Sequence, residues 1–274
     1  MPDYALGVSN HPIPKKEQSV TRSIDLNSDL GEGFGPWPMG DDAAMLSIVT
    51  SANVACGGHA SDPETMFKTL TMAKANSVVV GAHPGYNDRE GFGRRVIPMS
   101  PIEIGRMAAA QIGALVSMAA LAGTKVSYVK PHGALGNLAA RDAIVANEIA
   151  SVVARIDPGL AILAISGNEL EHAARKANIT VYSEIFADRG YLKSGQLIPR
   201  GQDGAMIHDA GEAADRLIEF LDTGLMPVID GEPILLDAHS ICVHGDSDTA
   251  VDMAREIRDR LVAAGTNVSP FITP

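Results

Sequence analysis

Six residues that can bind metal, transfer protons or hold negative charge each follow an apolar run in this chain. They are Asp29, Glu32, His59, His83, Lys130 and His132. Carboxylates and imidazoles exchange protons near neutral pH, and a lysine neutralises a carboxylate or a phosphate. We therefore predict that these six side chains meet in one catalytic pocket.

Seven apolar runs end in such polar clusters, and helical stretches separate them. The runs cover residues 23–27, 52–56, 78–82, 126–129, 160–165, 180–185 and 234–243. Strands that alternate with helices predict a parallel sheet, and barrels of this class carry their active sites at the carboxyl ends of the strands. The pattern therefore indicates an α/β enzyme with its reactive side chains at one rim.

Helix start signals support this order of elements. Asp62-Pro63-Glu64 and Ser100-Pro101-Ile102-Glu103 each join an N-cap residue to a proline at the first helical position. They predict helices that run to Ala75 and Ala122. Further helical patterns cover residues 137–155, 210–223 and 247–264.

The first strand carries three polar residues on one face. Asp25, Asn27 and Asp29 alternate along it, where the interior of a barrel is normally apolar. Burying such groups costs free energy unless they bind something. Glu32 follows among glycines, which permit a close approach of the backbone to a ligand. A turn capped by these carboxylates is the alternative to a binding role.

Two histidines end neighbouring strands. His59 and His83, with Asp29 nearby, form a candidate divalent-metal site because imidazole and carboxylate are usual ligands. Their spacing is not a local ligand motif, so this prediction depends on the fold. His132 suits proton transfer, and a structural, hydrogen-bonded histidine is the alternative.

The ends of the last two strands provide further polar candidates. Glu184 and Arg189 flank the end of the sixth strand, and Asp237, His239 and His244 lie along the seventh. Asp237 and His239 alternate, which would aim them inward or across the rim. The glycine turn at residues 245–247 leads into a helix, so it is either an anion site or an ordinary N-cap.

Composition narrows the class of protein. The chain has 274 residues, 46% hydrophobic content and a net charge of −11, and it contains no block of Lys and Arg. These features argue against nucleic acid or anionic lipid as the main partner. Two cysteines, no apolar run of the ~18 residues that a membrane span needs and no signal pattern predict a cytoplasmic protein. We expect a flexible extension over residues 1–22 and one domain over 23–274.

Seven segments of the chain match one family pattern in collinear order. They are DLNSDLGE (25–32), SANVACGGH (51–59), GAHPGY (81–86), GFGRR (91–95), VKPHGAL (129–135), FADR (186–189) and ICVHGD (241–246). Together they resemble the LamB/YcsF family, that of the A subunit of bacterial 5-oxoprolinases, over about residues 23 to 270. Ser28, Ser61, Gly136 and Gly190 depart from the family pattern, which has cysteine, glycine, tyrosine and alanine there.

The resemblance implies a seven-stranded (β/α) barrel of the glycoside hydrolase/deacetylase type, which is TIM-barrel-like. It also implies ATP-dependent cleavage of 5-oxo-L-proline to L-glutamate, ADP and phosphate, together with partner subunits B and C and with Mg²⁺ accompanying ATP. The sequence contains no Gly-x-x-x-x-Gly-Lys-Ser/Thr loop, so a P-loop is not the nucleotide site.

The implied chemistry assigns expected roles to the rim. Lys130 with Arg94 or Arg95 would hold phosphate or the substrate carboxylate. Asp29 or Glu32 would orient water or Mg²⁺, and the histidines would move protons. The expected binding residues are Asn27, Arg94, Arg95, Glu184, Arg189, Asp237, His239 and His244.

Two other functions fit the same residues. A metal-dependent amide or acetyl hydrolase of the polysaccharide-deacetylase type would use the carboxylates and histidines without ATP. A non-catalytic partner subunit would use the rim only to dock another chain.

Overall fold

A computed structural model describes residues 22–245 and 249–273 of the chain. Its strands are β1 (Ser23–Leu30), β2 (Ser51–Ala55), β3 (Val79–His83), β4 (Val126–Val129), β5 (Ala161–Ile165), β6 (Val181–Phe186), β7 (Leu225–Met226), β8 (Ile234–Leu235), β9 (Ser240–Cys242) and β10 (Asn267–Val268). Strands β1 to β6 and β9 pair in parallel, and β9 pairs back onto β1. Within the described ranges, these seven strands close the predicted barrel.

Helices surround the barrel. They are α1 (Asp42–Leu46), α2 (Pro63–Ala75), α3 (Pro101–Ala122), α4 (Gly133–Arg141), α5 (Ala143–Ile156), α6 (Glu169–Lys176), α7 (Ala210–Thr223) and α8 (Ala250–Ala263). The predicted starts of α2 and α3 are confirmed. The Asp62 side chain accepts hydrogen bonds from two backbone N–H groups of α2, and Ser100 forms a capping box with Glu103.

Helix α3 is long and apolar enough to cross a membrane by length and composition alone. In this fold it packs against α2, α5 and the barrel, and it buries side chains such as Ile104, Ile112 and Leu115. A core helix of a globular domain has the same composition, so this helix is accounted for by packing.

Three predicted elements differ from the structure. The helix predicted over residues 137–155 is two helices, because Asp142 is extended and its side chain caps α5. The run 234–243 is not one strand, because β8 turns away to pair antiparallel with β7 and only β9 joins the barrel. The helix predicted from residue 247 begins at Ala250, as far as the described residues show.

Two predictions fall outside the described residues. The predicted extension over residues 1–22 is described only at Arg22. Of the anion site predicted at residues 245–247, only Gly245 is described.

The barrel interior is polar at its base. Asp25 accepts hydrogen bonds from the hydroxyls of Ser51 and Ser240 on the neighbouring strands and of Thr50, which directly precedes β2. Above it, Asn27 Nδ2 donates to Ser240 Oγ at 2.6 Å and to Glu184 Oε1 at 2.9 Å. The shared inward face predicted for the first strand is therefore confirmed.

Tyr128 crosses the interior beside this column. Its hydroxyl donates to Asn53 Oδ1 at 2.7 Å. The ring fits because Gly81 faces it from β3, where an added Cβ would lie 2.2 Å from the Tyr128 ring. Phe271, near the carboxyl terminus, packs on Tyr128 with ring centroids 5.1 Å apart.

Candidate functional site

The six residues predicted to meet do lie together, at the carboxyl-terminal rim of the barrel. Three come from strand ends, and three come from the loops that follow β1, β2 and β4. The residues are Asp29, His83 and Lys130 at strand ends and Glu32, His59 and His132 in loops. Each is at most 8% exposed, so their mutual contacts occur largely away from solvent.

Lys130 is the buried cation of the site. Its Nζ lies 2.8 Å from Glu184 Oε1 and 3.2 Å from Asp29 Oδ1. Asn27 Oδ1 at 3.3 Å and Cys242 Sγ at 3.2 Å complete its surroundings. Burial opposes the charge, but the carboxylates outweigh it and raise the pKa of Lys130 well above its usual value. The ammonium is therefore charged at any working pH.

The two carboxyl groups beside Lys130 differ in their electrostatics. Burial raises the pKa of Glu184 in spite of the lysine. Burial acts in the same direction on Asp29, but there His83 and Lys130 outweigh it and hold the pKa well below the usual range. Asp29 is thus the carboxylate that stays ionised, with His83 Nε2 at 3.3 Å from its Oδ2.

Three imidazoles and one carboxylate form a second cluster on the other side of Asp29. Glu32 Oε1 lies 3.0 Å from His59 Nε2 and 3.6 Å from His132 Nδ1. His132 Nδ1 in turn lies 3.0 Å from His83 Nε2. Burial and the neighbouring imidazoles lower the pKa of His59 far below its usual value and that of His132 to about 3. These two rings are therefore neutral at neutral pH.

Close packing fixes this imidazole cluster. The His59 and His132 rings stack with centroids 3.6 Å apart and planes 4° from parallel. Gly93, with φ +63°, passes directly over them, and an added Cβ there would lie 2.6 Å from His59 Cβ and 2.8 Å from His132 Cδ2. Gln111 of α3 holds the adjacent turn through both the N–H and the carbonyl of Gly85.

A cavity of about 360 Å³ is lined by Asp29, His83, Lys130 and His132, whereas Glu32 and His59 are not part of its lining. Its floor is polar, and part of its wall is apolar. Basic side chains supply much of the rest of the lining, which includes Arg94, Arg141, Arg189, Arg200 and His244. Such a space suits a small anion that also has an apolar part.

Two of these basic groups are anchored. Arg189 is buried and donates to the carbonyls of Ala205 and Ile198, and burial lowers its pKa to about 10. His244 Nδ1 lies 2.8 Å from Asp188 Oδ2, so it is held at the end of β9.

Four of the predicted binding residues do not line the cavity, and one of them, Asn27, contacts Lys130 and Glu184 instead. Arg95 forms a bidentate ion pair with Asp88 on the outer surface. Asp237 and His239 are exposed and precede β9, where His239 Nδ1 accepts a hydrogen bond from the backbone N–H of Ser183. The inward face expected for this pair is corrected, because Ser240 and Cys242 are the residues of β9 that face inward.

The structure also adds residues that were not among the predicted site residues. Cys242 contacts Lys130, and alternation along β9 would have aimed it inward had the strand start been known. Burial raises its pKa well above the usual value, so it is a neutral thiol rather than a nucleophile. Arg200 and Phe186 line the cavity from a loop and a strand end. Nothing in the spacing of Arg200 marks it as a site residue.

Comparisons with known proteins agree with this fold. The LamB/YcsF family model matches residues 24–273. The chain is 49% identical to the 5-oxoprolinase A subunit of Azorhizobium caulinodans over 91% of this chain and 98% of that one. It is 50% identical to the 5-oxoprolinase A subunit of Paracidovorax citrulli over 90% of this chain and 99% of that one.

A solved structure extends the comparison. The crystal structure of the lactam utilization protein from Thermus thermophilus superimposes with a TM-score of 0.85 at 40% identity. It covers 90% of this chain and 99% of that one. Because the family model spans nearly all of the described barrel, the chain belongs to the LamB/YcsF family.

Proposed function

We propose that this chain is the A subunit of an ATP-dependent 5-oxoprolinase, which opens 5-oxo-L-proline to L-glutamate together with subunits B and C. The observation that carries the proposal is the near-full-length similarity to proteins named as the A subunit of 5-oxoprolinase. The cavity supports it, because it joins a buried cation, a carboxylate–imidazole cluster and an apolar wall.

The proposed substrate matches this cavity in kind. 5-Oxo-L-proline is a small ring with an apolar edge, one carboxylate and one amide. Arg189 and Arg200 offer positive charge to the carboxylate, and Phe186 offers an apolar surface to the ring. The amide would then lie toward Lys130 and the imidazoles on the floor.

The chemistry explains the need for ATP. A five-membered lactam is an unreactive amide, so transfer of the terminal phosphoryl group of ATP to the amide oxygen creates a leaving group and releases ADP. One water then adds to the carbon, and the C–N bond breaks as the ring nitrogen takes a proton. A second water hydrolyses the resulting acyl phosphate to glutamate and phosphate.

The two clusters of the site fit different steps of this reaction. Lys130 is fixed and charged before any substrate binds, so it can stabilise negative charge as it develops on the amide oxygen. Glu32 and the imidazoles are the groups that can hold a water through hydrogen bonds.

The test measures glutamate and phosphate release from 5-oxo-L-proline and ATP by the chain alone and mixed with subunits B and C. We expect equal release of both products in the mixture, and a loss of at least about 100-fold in Lys130→Met. Lys125→Met is the matched control, because Lys125 is exposed at the opposite end of β4. It should retain full activity.

Two results would contradict the proposal. Glutamate release that does not depend on ATP would indicate a simple hydrolase. Full activity of a correctly assembled Lys130→Met enzyme would indicate that the rim of this barrel takes no part in catalysis.

A further inference from the structure

Two histidines in the imidazole cluster have tautomers that their backbone partners determine. His83 Nδ1 lies 2.6 Å from the carbonyl oxygen of Lys130. His132 Nε2 lies 2.8 Å from the carbonyl oxygen of Phe92. A carbonyl oxygen only accepts hydrogen bonds, so each of these nitrogens carries a proton. In a neutral ring, the other nitrogen then carries only a lone pair.

Those other nitrogens face each other. His83 Nε2 and His132 Nδ1 are 3.0 Å apart, so the lone pairs of two neutral rings would meet unless a proton or a metal ion lies between them. Glu32 Oε1 is 3.6 Å from His132 Nδ1, and Asp29 Oδ2 is 3.3 Å from His83 Nε2. The two imidazole nitrogens are both acceptors, and such a buried pair is unfavourable unless a positive centre lies between them.

Their spacing suits a metal ion. Two ligand atoms that each lie about 2.1 Å from one ion at a right angle are about 3 Å apart. His59 orients two of these side chains, because its Nε2 contacts the Glu32 carboxylate at 3.0 Å and its ring stacks on His132. Ligands held by such outer contacts are oriented before the metal arrives.

We propose that His83 Nε2, His132 Nδ1 and Glu32 Oε1 bind one divalent transition-metal ion, with Asp29 Oδ2 beside them. Two imidazole ligands favour zinc, manganese, iron, cobalt or nickel over Mg²⁺, which prefers oxygen. The set differs from the ligands that the sequence suggested, because His59 is a positioning residue. An ion bound here would polarise the substrate amide or acidify a water.

A second group of possible ligands contains no such pair of facing imidazole nitrogens. Asp29, Cys242 and His244 also lie close together. Lys130 already supplies the positive charge there, through contacts to Asp29 and to the Cys242 sulfur. His244 is also engaged, through Nδ1, by Asp188. The two groups can therefore be separated by mutation.

The experiment uses the full-length chain, stripped of metal by chelation and then dialysed against Zn²⁺ or Co²⁺. Elemental analysis should find about one ion per chain, and bound Co²⁺ should show d–d absorption. His132→Ala and Glu32→Gln should weaken binding at least about 100-fold. His244→Asn is the matched control and should bind the ion as the unmodified chain does.

Nitrogen-15 NMR of the histidine rings provides a readout that needs no variant. Addition of Zn²⁺ should shift His83 Nε2 and His132 Nδ1 and leave their protonated nitrogens in place. A chain that binds no stoichiometric ion and shows a doubly protonated imidazole would overturn the inference, because a shared proton would then be the positive centre. Loss of the ion in His244→Asn would also overturn it, by moving the ion to the other group.

The inference and the proposed function can fail separately. A metal-free chain that supports ATP-dependent glutamate release would overturn the metal site and leave the function standing. A chain that binds the ion through these ligands but releases no glutamate with subunits B and C would do the reverse.

Discussion

Lys130→Met tests how the buried charges of this barrel are balanced. The substitution removes the ammonium that lies 2.8 Å from Glu184 and 3.2 Å from Asp29, and leaves both carboxyl groups buried without their cation. Breaking a buried ion pair in this way costs about 3–5 kcal/mol. We therefore expect the free energy of unfolding to fall by that amount near pH 8.

The pH dependence gives this prediction its specificity. Without Lys130, the already raised pKa of Glu184 rises further in the folded state, and the pKa of Asp29 rises from its lowered value. A raised folded-state pKa gives stability that is present at low pH and is lost as pH rises through that pKa. The penalty should therefore shrink as the pH falls, because the Glu184 carboxyl of the variant takes up a proton.

Denaturant unfolding at a series of pH values measures this penalty. Lys125→Met should change the free energy of unfolding by less than about 0.5 kcal/mol at every pH, because that side chain is exposed. Adding Glu184→Gln to Lys130→Met should recover at least about 1 kcal/mol near pH 8. A penalty that is independent of pH and of Glu184→Gln would refute the reasoning, because uncompensated charge would then not be its source.

Two further predictions concern packing and burial. Gly93→Ala should destabilise the fold by at least about 2 kcal/mol, because its positive φ and the His59 and His132 rings leave no room for a Cβ. Gly113→Ala, on the open face of α3, is the control and should stabilise the fold by about 0.5–1 kcal/mol. Similar shifts in the melting temperature of the two variants would contradict this prediction. Burial raises the pKa of Asp25 to about 6. The free energy of unfolding of the unmodified chain should therefore fall by about 3 kcal/mol relative to that of Asp25→Asn as pH rises from about 4 to 8. The same pH dependence of the free energy of unfolding in both chains would contradict this prediction.

The barrel could be predicted from the sequence because its strands end in turns and its helices begin with N-cap residues. Asp62 and Ser100 show this most clearly, since their side chains make the predicted capping bonds. The predicted bounds of the seventh strand are wrong because one apolar run contributes strands to two sheets. Ile234 and Leu235 pair with β7, and the chain enters the barrel only at Ser240.

The candidate site was predictable to the extent that it lies at strand ends. Lys130 and His83 adjoin strands that were located correctly, so their meeting followed from the parallel topology. The predictions that Arg95 and His239 line the site are wrong for different reasons. Arg95 adjoins a residue that lines the cavity but turns outward to Asp88, and His239 depended on the misjudged strand start. Arg200 lies in a loop, and its position depends on packing over the barrel rather than on any local pattern.

The polar interior of the barrel fixes the floor of the candidate site. The Tyr128 hydroxyl donates to Asn53 Oδ1, which turns the Asn53 amide nitrogen toward Asn27 Oδ1 and Asp29 Oδ1. Asn27 in turn directs its own nitrogen to Glu184, so its oxygen remains for Lys130. Each amide is thus oriented by the one below it, and the ammonium lies among acceptors that need no rearrangement when charge develops. An apolar filling would favour stability but could not orient these groups, which explains why this barrel departs from the usual interior beneath its reactive rim.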